Sequence, residues 1–222
     1  MSAGFSEIFM RYYMLNKPGG VVTAVSDAKD KTVMDCFPED IRPGLFPVGR
    51  LDKDTEGLLI ITDDGDFAFR MLRPEFGITK RYFFRAFGEI SEEKIEKLKN
   101  GGTLYGNGEA ARPAFVADIA LSTVEHDEAF FPEKDRAHAM KNPKGKTFSG
   151  IITVTEGKRH EVKLLLKSIG CKIFQLKRLS MGSFLLDPVL KPGEFRGFTS
   201  EEVKIAEDYR KIFIDLTKKQ QA

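Results

Sequence analysis

Cysteine is nearly missing from this 222-residue chain: Cys36 and Cys171 stand far apart, and neither has a second thiol or a histidine at ligand spacing. A disulfide framework and a zinc site are therefore not expected. The three histidines, His126, His138 and His160, are equally scattered, so no structural metal is expected either. No segment approaches the roughly 18 consecutive apolar residues of a membrane span. Residues 1–11 also lack the basic-then-apolar order of a secretory signal. These absences point to a soluble, cytoplasmic protein with no membrane association. A Gly-rich phosphate loop, an internal repeat and a coiled-coil heptad are absent too, which argues against P-loop, solenoid and fibrous classes.

Charge, by contrast, is abundant and unevenly placed. The formal net charge of +2 hides a segment, residues 140–179, in which ten Lys or Arg face two acids, a net of +8 that leaves −6 for the remainder. One basic face on an acidic body suits docking on a polyanion. A solvated surface helix with a basic linker would give the same count. The 41% hydrophobic content is enough for an ordinary core.

Aromatic and β-branched runs at 12–16 and 21–25 flank Lys17-Pro18-Gly19-Gly20, which reads as strand, turn, strand. Residues 27–49 carry prolines and charges, so a long connection is expected, with at most one helical turn near 33–36. Residues 57–62 form a continuous apolar run, hence a buried strand, and a short helix over 67–72 should stop at Pro74. Strands are predicted at 81–87, 114–121, 148–155, 173–178 and 184–186. Ser91 should cap a helix ending at Gly101. Residues 159–169 read as a helix with a core stripe at Val162, Leu165, Leu166 and Ile169 and a basic stripe at Arg159, Lys163 and Lys167. Thr199 and Glu202 make a capping box for a last helix reaching about residue 213. Strands in consecutive pairs with few helices between them imply an α+β class with a largely antiparallel mixed sheet and flanking helices. The expected organisation is a leader over 1–10, one catalytic domain over 11–214 with two halves around a central cleft, and a tail over 215–222. The polar stretch 126–147 is expected to be a mobile insertion.

The most informative stretch is Gly49-Arg50-Leu51-Asp52. It sets a carboxylate after an arginine-bearing turn and before a buried strand, where an acid can be held rigidly. Three roles suit such an aspartate: a turn residue bonding a nearby amide, a calcium ligand, or a nucleophile. An EF-hand loop over 52–63 needs flanking helices, which Arg42-Pro43-Gly44 forbids, and has Asp63 where a bidentate Glu belongs.

Further motifs follow in order. They are Leu15-Asn16-Lys17-Pro18-Gly19, the Asp52 motif with Thr55-Glu56-Gly57-Leu58-Leu59, Lys80-Arg81-Tyr82, Glu156-Gly157-Lys158-Arg159-His160-Glu161-Val162-Lys163, and Lys191-Pro192-Gly193-Glu194-Phe195-Arg196. Together they resemble the RNA pseudouridine synthases, the RsuA family in particular. The resemblance implies the pseudouridine synthase catalytic fold and cofactor-free isomerisation of a uridine in RNA. By that resemblance Asp52 is the nucleophile, Tyr82 stacks on the target base, and Lys163 pairs with the aspartate. Leu179 packs under the base, while Arg50, Lys80, Arg159 and Arg178 grip phosphates with His160 beside them among the substrate contacts. His160 and Lys163 favour the small-subunit branch, so 16S ribosomal RNA or a pre-ribosomal particle is the expected partner. A large-subunit 23S target and a non-catalytic RNA-binding or ribosome-assembly module are the alternatives. A monomer is expected. Two departures stand out: Glu161 occupies the family's Gln position, and the small N-terminal RNA-binding domain of many members is expected to be absent.

Overall fold

The computed structural model describes residues 10–100, 115–121 and 146–220, with the side chains at 115–121, 146 and 212–220 left aside. Among the described residues nine strands make one sheet: β1 (Tyr12–Lys17), β2 (Phe46–Pro47), β3 (Glu56–Thr62), β4 (Lys80–Gly88), β5 (Phe115–Leu121), β6 (Lys146–Val154), β7 (Lys172–Met181), β8 (Phe184–Leu185) and β9 (Phe195–Gly197). The described residues also include four helices, α1 (Gly65–Leu72), α2 (Glu92–Lys99), α3 (Glu161–Ser168) and α4 (Ser200–Gln220), with short 3₁₀ turns at Val33–Cys36 and Pro74–Phe76. The strand order is β5-β6-β4-β7-β3-β1-β9, with β2 added to β3 and β8 to β7. These strands pair antiparallel except β3 with β7, which is parallel.

That parallel contact is the hinge of the architecture, because only Glu56↔Lys177 and Gly57↔Arg178 are in register. It joins an antiparallel set, β5-β6-β4-β7, to a second one, β3-β1-β9. The central strands bury both faces, and their side chains sort with period two. Leu15, Leu59 and Ile61 join Tyr82, Val162, Leu165 and Leu166 in one core, while Met14, Leu58 and Ile60 join Phe67, Met71, Phe184 and Ala206 in the other. Continuous burial explains why β3 reads as an unbroken apolar run.

Several boundaries depart from expectation, each for a local reason. Residues 21–25 form no strand, only a bridge from Val22 to Thr32. The Thr23 hydroxyl instead donates to the Leu51 carbonyl at 2.8 Å and faces the Leu51 N–H at 3.2 Å, so this segment is tied to the Asp52 loop. Helix α3 begins at Glu161, two residues late, because His160 takes a left-handed backbone at φ 57°. The short strands β2 and β9 were not foreseen. Lys146 and Thr147 belong to β6, while 126–145 lie outside the described residues. Helix α4 runs on to Gln220, past both residue 213 and the expected start of the tail. Its capping box is present: Glu202 accepts from Thr199 N–H at 2.8 Å and donates to Thr199 Oγ1 at 3.2 Å. Of the leader, residues 1–9 lie outside the described residues.

Candidate active site

The loop from Gly49 to Thr55 enters the parallel joint and is held from beneath by the segment after β1. Lys17 is wholly buried and donates to the carbonyls of Pro18 at 3.0 Å, Lys53 at 3.3 Å and Thr55 at 2.8 Å. The Gly20 N–H donates to the Lys53 carbonyl at 2.7 Å. A protonated amine inside the fold is tolerated because three acceptors meet its three donors. The loop backbone is thereby anchored while Asp52, 26% exposed at its side chain, stays open to solvent.

Across the joint, α3 supplies the partners. Lys163 Nζ lies 2.8 Å from Asp52 Oδ2 and 2.6 Å from Asp54 Oδ1, and His160 Nε2 lies 3.3 Å from Asp52 Oδ1. Burial alone would pull the Lys163 ammonium down, but hydrogen bonds and charge from the two aspartates outweigh it, and its pKa is raised. Asp52 therefore has a permanent cation on one oxygen and an imidazole on the other. Left-handed backbone at a non-glycine residue carries strain. At His160 it turns the chain so that the ring faces Asp52 in place of capping α3, where it makes no side-chain cap bond. Glu161, the departure from the family's Gln, neither faces solvent nor reaches Asp52 by any described bond. It is buried, its carboxylate accepts from the Gly157 N–H at 2.6 Å, and burial pushes its pKa up. That bond closes the turn from Gly157 to His160 ahead of α3.

Below the carboxylate lies a second layer. Tyr82 on β4 pairs with Arg178 on β7 and Ile152 on β6. Burial raises the pKa of its phenol, against the opposing charge and hydrogen bond of Arg178, so at neutral pH the hydroxyl stays protonated. Arg178 is 2% exposed and donates from Nε to the Leu58 carbonyl at 2.7 Å. Lys80 is also buried, with Nζ donating to the Ile78 carbonyl at 3.0 Å, and burial followed by the Arg178 charge pulls its pKa down to about 8. Lys80 and Arg178, expected at the phosphates, are thus interior cations, and Arg178 ties β7 to β3 and meets the tyrosine. Arg50 and Arg159 remain exposed on the two loops that flank Asp52. Leu179 is the extra residue of a β-bulge, since Arg81 pairs with Ser180 and Tyr82 with Arg178, and this re-aims its half-buried side chain.

Sequence reading missed Lys17 and Asp54 as members of the site. Lys17 lay inside a quoted motif, but a lysine next to a Pro-Gly turn gives no sign of burial. Asp54 looked like one more turn acid. Among the described residues no group of three or more His, Cys, Asp or Glu could hold a metal ion, and no helix is long and apolar enough to cross a membrane.

The mixed sheet with its parallel joint, and the lysine-paired carboxylate in the loop that enters it, suit an RNA-base isomerase of the pseudouridine synthase class. Residues 11–168 match the RNA pseudouridylate synthase family, to which the chain belongs; it is an RNA pseudouridine synthase. The Bacillus subtilis protein named uncharacterized RNA pseudouridine synthase YtzG is 40% identical over 195 residues, covering 87% of this chain and 72% of that protein. Ribosomal small subunit pseudouridine synthase A of Escherichia coli strain K12 is 30% identical over 193 residues, again 87% of this chain and 72% of the relative. A crystal structure of a pseudouridylate synthase superposes with a TM-score of 0.72 at 27% identity, covering 89% of this chain and 74% of that one.

The buried lysines give the reaction a pH signature. Burial pulls the Lys17 pKa down to about 8, with Asp54, Glu56 and Asp52 pushing the other way. Above that pH the neutral amine has two N–H groups for three carbonyls, and the Asp52 loop loses one tether. Activity is expected to decline as pH rises past about 8, and this limb should vanish in Lys17→Met, which is slow throughout. Lys80, also near 8, is separated by Lys80→Met, which should keep the limb. Stability moves the opposite way. The native state sheds the Lys17 proton near pH 8 and the unfolded state near 10.5, so the unfolded chain holds the extra proton between them and this group's contribution to stability rises with pH across that window. Rate profiles and urea titrations from pH 7 to 10 measure both.

Proposed function

We propose that the enzyme converts a uridine of small-subunit 16S ribosomal RNA to pseudouridine, with Asp52 as the nucleophile. The observation that carries this reading is the partly exposed Asp52 carboxylate, held at 2.8 Å by Lys163 and faced at 3.3 Å by His160. The name of the Escherichia coli relative supports the small-subunit assignment. The target nucleotide leaves its stack to reach the site. One Asp52 oxygen either attacks the anomeric ribose carbon, forming an O–C1′ bond as the N1–C1′ bond breaks and its electron pair passes to N1, or adds across the uracil ring double bond, after which the N1–C1′ bond breaks. The base turns, a C5–C1′ bond forms, the C5 proton leaves to solvent, N1 takes up a proton and the carboxylate is released. Substrate and product have the same composition, so no cofactor is required. Tyr82 and Leu179 bracket the base, the phenol being kept protonated by burial, and exposed Arg50 and Arg159 take the flanking phosphates.

Ribosomal RNA labelled with tritium at uridine C5 tests the reading. Tritium release from 16S RNA or small-subunit particles is the expected result. Release only from 23S RNA would overturn the target, and no release from any RNA or particle would overturn the chemistry.

A further inference from the structure

Isomerising a uridine requires two proton movements besides the exchange of bonds at C1′: N1 gains a proton and C5 loses one. Most ionisable groups of the site are unsuited to both. Lys163 lies between Asp52 at 2.8 Å and Asp54 at 2.6 Å, and its raised pKa keeps the ammonium charged. Tyr82 is buried, which keeps its phenol protonated. Lys17 is wholly buried and directs its donors at three backbone carbonyls. His160 differs from all of these, because its side chain is 45% exposed while Nε2 stands 3.3 Å from Asp52 Oδ1. A carboxylate only accepts, so Nε2 bears the proton in that contact.

The placement of the ring is built into the backbone. Among the described residues His160 alone of the non-glycines has a positive φ, at 57°, and its side chain makes no capping bond to α3. Glu161, the next residue, is buried and accepts from the Gly157 N–H at 2.6 Å, which closes the turn. Backbone strain of this kind persists where the surroundings over-determine it, and it clusters at functional sites.

We propose that His160 is a catalytic residue that acts first as an acid at N1 and then as a base at C5 of the target uracil. The proposal deepens the RNA-modifying reading of the Asp52 site and rests on it, on the path through C1′. As Asp52 attacks C1′ and the N1–C1′ bond breaks, the bond's electron pair passes to N1, which takes the Nε2 proton of the imidazolium. The base turns, the C5=C6 pair forms the C5–C1′ bond, and the O–C1′ pair returns to Asp52. C5 still holds its hydrogen, and positive charge is shared by C6 and N1. The neutral imidazole takes that hydrogen as a proton, the C5–H pair restores C5=C6, and the imidazolium is regenerated. Because the ring is open to solvent, the proton exchanges there, which carries a C5 label into water.

The test uses the full chain with 16S RNA or small-subunit particles labelled at uridine C5. Glycine takes up a positive φ without strain and leaves room for an added ring. His160→Gly should lose about 10²-fold in kcat with KM unchanged. Added imidazole should restore tritium release, and across a series of azoles the gain should follow their basicity. His160→Asn tolerates the left-handed backbone and offers an N–H but no readily transferred proton, so it should be as slow. On RNA deuterated at C5, His160→Gly should show a larger primary isotope effect on pseudouridine formation than the wild type. A wild-type rate in His160→Asn would overturn the proposal, because the ring would then only orient Asp52. Rescue that ignores azole basicity, or a slow variant with no enlarged isotope effect, would overturn it too. Tritium release that survives in His160→Gly overturns the proton role alone. No release by the wild type from any RNA or particle overturns the RNA-modifying reading, and the proposal with it.

Discussion

Asparagine at position 52 is expected to cut tritium release by at least about 10³-fold while leaving the fold intact. The amide matches the carboxylate in shape but cannot supply the anionic oxygen that forms the covalent bond. A loss of that size equals roughly 4 kcal/mol of transition-state stabilisation. The fold should hold because Lys163 is not orphaned: it keeps Asp54 at 2.6 Å when Asp52 loses its charge. Ion pairs that are partly open to solvent contribute only about 0.2–1 kcal/mol. The melting temperature of Asp52→Asn should therefore stay within about 3 °C of the wild type. Single-turnover tritium release and circular dichroism measure the two halves. Residual activity above one per cent would show that Asp52 is not the nucleophile, and a collapsed melting curve would show that the Asp52–Lys163 pair is chiefly structural.

The largest stability effect is expected at the parallel joint, from Gly57→Ala. Gly57 has φ 97°, and a Cβ there would stand 2.3 Å from the Arg178 carbonyl oxygen and 2.8 Å from the Arg178 nitrogen. Both neighbours are backbone, and Arg178 is itself pinned to the Leu58 carbonyl at 2.7 Å, so nothing flexible can yield. Strain plus clash should cost at least about 3 kcal/mol, a fall of roughly 6–12 °C in melting temperature for a chain of this size. Prying β3 from β7 also shifts the Asp52 loop relative to Tyr82, so activity should fall even at temperatures where the variant is folded. Gly20→Ala is the control: its φ is 83°, but a Cβ there meets nothing within 4 Å, so it carries strain without clash. Melting temperatures for the two variants within about 2 °C of each other would contradict the steric account.

Much of the fold is legible in the chain because its signals are local. β3 announces itself as an apolar run, Ser91 and Thr199 mark helix starts by their own side chains, and Val162, Leu165, Leu166 and Ile169 outline the buried face of α3 by their spacing. The errors fall where a distant partner overrides local preference. Residues 21–25 have strand-forming composition, yet Thr23 spends its hydrogen bonds on Leu51. Arg159 and His160 continue the helical pattern, but the left-handed turn at His160 ends it. Lys80 and Arg178 look like surface cations because Lys and Arg are seldom buried unless paired, and only the pairing of β4 with β7 encloses them.

The sequence by itself determined the α+β class, the basic segment and the ordered motifs that point to an RNA pseudouridine synthase, since periodicity, capping chemistry and composition act over a few residues. The tertiary structure alone decided which groups surround Asp52. Lys163 arrives from 111 positions away, Lys17 vanishes beneath the loop, and Arg178 turns inward to Tyr82. Those juxtapositions depend on the two-residue parallel joint between β3 and β7. No short-range pattern encodes it, because the strands that form it lie more than a hundred residues apart.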